Sequence, residues 1–108
     1  MLKSDVTLDR TVAQIVERIV RAIRPDKVFL FGSRLTDSPE PESDIDLLVL
    51  YGGDRTPQEI QIEIHRLFER PGFSLDVFAL KTEDFEAQKK VANTLAREVS
   101  ERGLVCYG

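Results

Sequence analysis

Two short apolar segments, residues 28–31 and 47–50, constrain the fold of this chain more than any other feature. The first is followed directly by Gly32-Ser33 and the second is preceded by Asp44-Ile45-Asp46, with ten residues between the two motifs. Each segment has the length and apolar character of a buried strand, and the short connection favours antiparallel pairing. The end of the first strand and the start of the second then share one edge of a sheet. The glycine-serine turn is therefore expected to lie beside two carboxylates.

Helix signals surround these two strands. From Leu8 to Ile23 the apolar residues recur at intervals of three and four, which predicts an amphipathic helix that ends before Pro25. After the second strand, Thr56-Pro57-Gln58-Glu59 supplies a capping hydroxyl, a first-turn proline and a glutamate, which together satisfy the free amides of a helix start. This signature predicts a helix over residues 57–70.

The last third of the chain predicts one more strand and one more helix. An apolar run over residues 73–80 is the third strand, and Thr82 then begins a helix that we expect to continue to Gly103 as its C-terminal cap. Residues 104–107 are compatible with a short edge strand. The residues of the last helix expected to face the core are Phe85, Ala92, Leu95 and Val99.

These elements indicate an α/β (α+β) fold, a small mixed β-sheet flanked by helices. Their order is α-β-(short α)-β-α-β-α, in which the short helical element follows Ser33 and an exposed loop occupies residues 35–43. The helix between the second and third strands can act as a crossover, which makes those two strands parallel. At 108 residues the chain is most simply a single domain, residues 1–108.

Charge and cysteine content exclude several classes of function. The net charge is -4 and the basic residues are scattered, which argues against nucleic acid as the main ligand. The single cysteine, Cys106, cannot form an internal disulfide or a zinc cluster, which fits a reducing compartment. No apolar stretch approaches the roughly 20 residues of a membrane span, so we expect no membrane partner and a cytoplasmic location. The sequence leaves open whether the chain forms a homo- or hetero-oligomer.

Three aspartates are expected to meet at one edge of the sheet. Asp44 and Asp46 are two apart on a strand and point to the same face, while a parallel third strand brings Asp76 to the same edge. Two unit charges about 4 Å apart repel by about 4 kcal/mol at an effective dielectric constant near 20, so a bound cation is favoured. Oxygen ligands suit magnesium, and two such ions can serve the attacking and leaving oxygens of a phosphoryl transfer. Asp76 would serve the attacking side as a metal ligand that could also act as a base.

The turn after the first strand has the composition of a phosphate site. Gly32 allows the backbone to approach a phosphate, the hydroxyl and amide of Ser33 can donate to its oxygens, and Arg34 adds a positive charge. Together with the carboxylates, these residues would position a nucleoside triphosphate for in-line attack on one phosphorus.

With Gly32-Ser33, ten residues, Asp44-Ile45-Asp46 and a later Asp76, the chain resembles the minimal nucleotidyltransferase domain of the polymerase β superfamily. The resemblance implies a nucleotidyltransferase fold, magnesium dependence and transfer of a nucleoside monophosphate from a triphosphate. Short stand-alone members are often antitoxins paired with a HEPN-domain toxin, whose tyrosine they modify with AMP from ATP. Such a member would bind phosphate through Gly32 and Ser33 and metal through its three aspartates.

One segment departs from the family pattern and keeps a second hypothesis open. Many relatives continue after the serine with Arg-Ala-Arg-Gly, whereas here Arg34 is followed by Leu35-Thr36-Asp37. The alternative is therefore a catalytically weak or inactive antitoxin that neutralises its toxin by binding alone. A third hypothesis, transfer to a small molecule such as an aminoglycoside, is disfavoured because those enzymes add a second domain to form the acceptor pocket.

Overall fold

A computed structural model describes residues 10–32, 45–68 and 74–108 of the chain. Within these ranges the elements follow in the order α1 (Arg10–Ile23), β1 (Lys27–Phe31), β2 (Ile45–Tyr51), α2 (Pro57–Leu67), β3 (Leu75–Lys81), α3 (Thr82–Gln88), α4 (Leu95–Arg102) and β4 (Leu104–Tyr107). The short helix predicted after Ser33 and the loop predicted over residues 35–43 lie outside the described residues.

The four strands form one mixed sheet in the order β3-β2-β1-β4. β1 pairs antiparallel with both β2 and β4, and β2 pairs parallel with β3 across the connection that contains α2. The predicted small mixed sheet, its antiparallel and parallel pairings and the short C-terminal strand are thus confirmed. The third strand begins at Leu75 and ends at Lys81, slightly later than predicted.

Alternating side chains of the sheet divide the core into two layers. On one face, Ile45, Leu47 and Val49 of β2 are buried with the apolar side of α1 and with α2. On the opposite face, Leu48 and Leu50 are buried with residues of α3 and α4. This division follows from the period of two along a strand, and it decides which helices border each side chain of the sheet.

α1 is amphipathic, as its spacing predicts, and it contributes Val12, Ile15, Val16, Ile19 and Ile23 to the core. The helix ends at Ile23, before Pro25. Arg24 adopts a left-handed conformation with φ 54°, and its N–H donates to the carbonyl oxygen of Val20 at 2.9 Å. This is the αL type of helix C-terminus, usually occupied by glycine.

The predicted capping signature at the start of α2 is confirmed. Thr56 Oγ1 accepts a hydrogen bond from the Glu59 N–H at 3.2 Å, and Glu59 Oε1 accepts one from the Thr56 N–H at 3.0 Å. α2 ends at Leu67, with Phe68 as its C-cap. Residues 69–70, the last part of the predicted helix, lie outside the described residues.

The single helix predicted from Thr82 to Gly103 is wrong, because two helices, α3 and α4, occupy this segment. Thr94 starts the second helix: its Oγ1 accepts from the Arg97 N–H at 3.1 Å and lies 3.0 Å from the Gln88 carbonyl oxygen. Asn93 precedes it with a φ of 66°, a conformation that asparagine tolerates. Ala92 is expected to face the core from a helix, but the chain turns at this position and Ala92 is exposed.

A side chain of α2 reaches the outer edge of β3. Gln61 Nε2 donates to the Val77 carbonyl oxygen at 2.9 Å. On the other side of the strand, the Ser74 carbonyl oxygen accepts from the Ile45 N–H at 2.9 Å, so alternate peptide groups of β3 point toward β2. The carbonyl of Val77 points away from the sheet and is bonded by Gln61.

No described helix is long and apolar enough to cross a membrane.

Candidate active site

The register of the sheet brings two predicted site residues side by side. Asp46 on β2 is the direct partner of Asp76 on the parallel strand β3. Neighbouring strands lie about 4.8 Å apart and directly paired residues project to the same face. Ile45 is fully buried on the opposite face, as the alternation predicts. Asp46 is half-buried and Asp76 is exposed.

Gly32 packs against the carboxylate of Asp46. Its φ is +83°, and a Cβ added at this position would overlap Asp46 Oδ2 and lie 3.2 Å from Asp46 Cγ. The pairing of Phe31 with Asp46 across β1 and β2 produces this close approach. The glycine is thus required by backbone conformation and by space, whereas the sequence suggested only that it could approach a phosphate.

Three other predicted site residues, Ser33, Arg34 and Asp44, lie outside the described residues, so their roles stay predictions. Within residues 10–32, 45–68 and 74–108, no group of three or more His, Cys, Asp or Glu side chains could hold a metal ion. The structure therefore brings together two of the three predicted carboxylates, and Asp44 is the predicted third.

The donors that are present fit a hard divalent cation. Asp46 and Asp76 offer carboxylate oxygens from adjacent strands at an exposed edge, which is the ligand type that magnesium prefers. Because Gly32 carries no side chain, the Asp46 carboxylate packs directly against the backbone of the turn. These residues could hold magnesium together with the phosphates of a substrate.

Two phenylalanines near the carboxylates were not singled out from the sequence. The rings of Phe31 and Phe78 have centroids 5.8 Å apart with an interplanar angle of 52°. Phe78 is 39% exposed. The only signal in the sequence is that Phe78 is two residues after Asp76 and therefore shares its face of the strand.

Two other reactive side chains lie elsewhere in the fold. Tyr51, at the far end of β2 from Asp46, is buried, and its hydroxyl donates to the Arg55 carbonyl oxygen at 2.7 Å. Burial, and then the negative charge of Asp84, raise the pKa of Tyr51. Cys106 on β4 is also buried, which raises the pKa of its thiol to about 11. Both groups are protonated at neutral pH and behave as packed core residues.

Comparison with known proteins identifies the family of this chain. The model of the polymerase β nucleotidyltransferase family matches residues 13–100. The chain belongs to the polymerase β nucleotidyltransferase family. Residues 13–100 of this nucleotidyltransferase include Gly32, Asp46 and Asp76, the three predicted site residues that the structure describes.

A solved structure shares the fold of this nucleotidyltransferase. It is described as the crystal structure of the toxin-antitoxin with AMP-PNP, and it matches with a TM-score of 0.60 and 20% sequence identity. The match covers 89% of this chain and 73% of that chain. The search of curated proteins found no match.

Proposed function

We propose that this nucleotidyltransferase transfers AMP from ATP to a partner protein and is the antitoxin of a HEPN-type toxin. The family supports nucleotidyl transfer as the reaction class. A fold shared with a toxin-antitoxin structure that contains AMP-PNP supports an adenine nucleotide as donor and a toxin as partner. The resemblance of the Gly32-Ser33 and Asp44-Ile45-Asp46 motifs to short antitoxins supports the HEPN class of that toxin.

The observation that carries the proposal is the order in which three candidate site residues lie across three neighbouring strands. Gly32 at the end of β1 touches Asp46 on β2, and Asp46 is the register partner of Asp76 on β3. Phosphate bound at the glycine turn would therefore lie on one side of Asp46, with Asp76 on the other. In-line transfer requires the attacking and leaving oxygens on opposite sides of the phosphorus. This order favours an acceptor that arrives from the Asp76 side.

The proposed reaction exchanges one phosphorus-oxygen bond for another. A hydroxyl oxygen of the acceptor attacks the α-phosphorus of ATP as the bond from that phosphorus to the bridging oxygen breaks, which leaves AMP on the acceptor and releases pyrophosphate. A carboxylate oxygen of Asp76 accepts the hydroxyl proton and returns it to solvent. Asp46 and Asp76, with Asp44, would hold magnesium, whose charge when bound offsets the negative charge of phosphates and carboxylates. Gly32, Ser33 and Arg34 would fix the phosphates.

A transfer assay with single-site variants tests this function. Purified protein, magnesium and ATP labelled at the α-phosphate should label the partner toxin, and Asp46→Asn or Asp76→Asn should lower the rate at least about a hundredfold. Asp54→Asn is the matched control, since Asp54 is an exposed aspartate in the turn after β2 and should leave the rate unchanged. Failure of the wild-type protein to label the toxin with any nucleotide would overturn the proposal.

Binding without chemistry is the second candidate, favoured by the Leu35-Thr36-Asp37 departure from the family pattern. The two candidates differ in a protection experiment in cells that express the toxin. Loss of protection by the double variant Asp44→Asn, Asp46→Asn supports the enzyme, and full protection by the same variant supports the binding protein.

A further inference from the structure

The face of the sheet that bears the carboxylates is only partly covered by α3 and α4. Phe29, deeper on this face, stacks on Phe85 of α3 with centroids 5.5 Å apart, and both rings are buried. Phe31 is only half-buried, and Phe78 is 39% exposed. Among the described residues, α3 and α4 therefore cover the inner aromatic pair, and Phe78 of the outer pair stays exposed near Asp46 and Asp76.

The outer pair bridges three strands. Phe31 lies on β1 and Phe78 on β3, so their rings meet above the intervening strand β2 at a centroid distance of 5.8 Å. Phe78 is two residues along the same face from Asp76, about 7 Å at the rise of a strand. A group bound on the exposed part of the Phe78 ring would thus lie within one side-chain length of the Asp76 carboxylate.

We propose that Phe78, supported by Phe31, is a specificity-determining residue that contacts an apolar, preferably ring-bearing, part of the acceptor beside Asp76. The inference rests on the proposed function, since it identifies the recognition of the acceptor in that reaction. Phe78 lies on β3, across Asp46 from the glycine turn, which is the side from which an in-line acceptor arrives. An aromatic ring favours an apolar or aromatic contact, and an edge-to-face pair of rings also fixes orientation.

Steady-state kinetics with the partner toxin as acceptor test the inference. Phe78→Ala should raise the KM for the toxin about tenfold while kcat at saturating toxin and the KM for ATP stay within about twofold of wild type. Phe78→Tyr should restore the KM because it keeps the ring, whereas Phe78→Leu should be intermediate. Ile62→Ala is the matched control, since Ile62 is 55% exposed but lies on α2, which packs on the opposite face.

Calorimetric titration of the toxin, without nucleotide, separates this inference from the proposed function. About tenfold weaker toxin binding by Phe78→Ala supports the contact, whether or not the wild-type protein transfers AMP. Lack of transfer by the wild-type protein would overturn only the proposed function. Equal toxin KM and equal affinity for wild type and Phe78→Ala would overturn the contact. A raised KM for ATP with an unchanged toxin KM would also overturn it, because the ring would then serve the nucleotide. Lack of wild-type binding to the toxin would overturn both.

Discussion

Gly32 is subject to two separate restrictions at the scale of a single residue. Its φ of +83° is a conformation that side chains rarely adopt, and the space where a Cβ would lie is filled by the Asp46 carboxylate. Gly53 has a similar φ of +101°, but beyond its chain neighbours no atom of the described residues lies within 4 Å of its Cβ position. The two glycines therefore separate the cost of backbone strain from the cost of displacing the carboxylate.

We predict that Gly32→Ala lowers the free energy of unfolding by about 3 kcal/mol, because it adds a steric overlap to the backbone strain. Gly53→Ala should cost only about 1–2 kcal/mol, the backbone strain alone. Urea unfolding of both variants measures the difference. Gly32→Ala should also abolish AMP transfer, because Asp46 must move. Equal losses of stability in the two variants would show that displacing the Asp46 carboxylate adds no cost at Gly32.

The thiol of Cys106 gives the protein an alkaline limit of stability. Burial raises its pKa from 9.0 to about 11, so the folded state keeps a proton that the unfolded state loses. This contribution is constant below pH 9 and is lost as the pH rises toward 11. We predict that the free energy of unfolding falls by about 2 kcal/mol between pH 8 and pH 10.5 on account of this group.

Urea unfolding at the two pH values, in wild type and Cys106→Ala, measures that contribution. The variant should show a smaller alkaline loss, although it is less stable at pH 8 because a buried side chain is truncated. The part that remains in the variant includes Tyr51, whose pKa is also raised by burial. An identical pH dependence in both proteins would contradict the prediction.

At the scale of elements, the start of α2 couples helix stability to pH. The Thr56 N–H and hydroxyl lie against the Glu59 carboxylate and hold its pKa below the usual value. The carboxylate contributes stability above the unfolded-state pKa, and this contribution is lost as the pH falls through the lower pKa of the folded state. Thr56→Ala should lower the free energy of unfolding by about 1 kcal/mol at pH 7 and by less at pH 3.

Thermal and urea unfolding at both pH values check this effect. Thr11→Ala is the control, because Thr11 is an exposed threonine in the first turn of α1 and should be nearly neutral. A loss of stability for Thr56→Ala that is equal at pH 7 and pH 3 would show that the pKa of Glu59 does not depend on the Thr56 hydroxyl.

The elements also show why some of the fold is predictable from sequence and some is not. β1, β2 and the start of α2 carry strong local signals, namely apolar runs and a capping sequence, and the structure agrees with them. The apolar spacing alone does not predict the break between α3 and α4, because apolar residues continue at helical spacing through it. Asn93-Thr94 is the local signal of that break, since one residue accepts a left-handed φ and the other caps a helix.

The candidate site divides in the same way. The adjacency of Asp46 and Asp76 follows from strand alternation and one parallel crossover, which the sequence pattern contains. The aromatic pair of Phe31 and Phe78 could not be predicted, because its partners are distant in sequence and meet only through the register of three strands. Packing of Gly32 on Asp46 likewise depends on the register of β1 against β2.

At the scale of the whole molecule, the two layers of the core differ in size. In the described residues, sixteen buried side chains form the cluster between the sheet and α1 and α2, and six form the cluster under α3 and α4. Because local opening is easier where fewer apolar contacts must break, the α3 and α4 layer is expected to open first.

Native-state hydrogen exchange followed by mass spectrometry tests this order. We predict that amides of α3 and α4 exchange at least about tenfold faster than those of α1 and β2. Val99→Ala, in the smaller cluster, should accelerate exchange mainly in α3 and α4, whereas Ile19→Ala, in the larger one, should accelerate it throughout. Uniform exchange across the four elements would mean that the chain opens only as one unit.

The hydrogen bond from Gln61 to the Val77 carbonyl has a consequence for solubility. β3 is the longer of the two edge strands of the described sheet, and it exposes the ring of Phe78. Long apolar edges recruit the strands of other molecules and start aggregation. A foreign strand that approached β3 would find the Val77 carbonyl, near the middle of the strand, already bonded by Gln61. At high protein concentration this single amide therefore opposes the stacking of molecules edge to edge into fibrils.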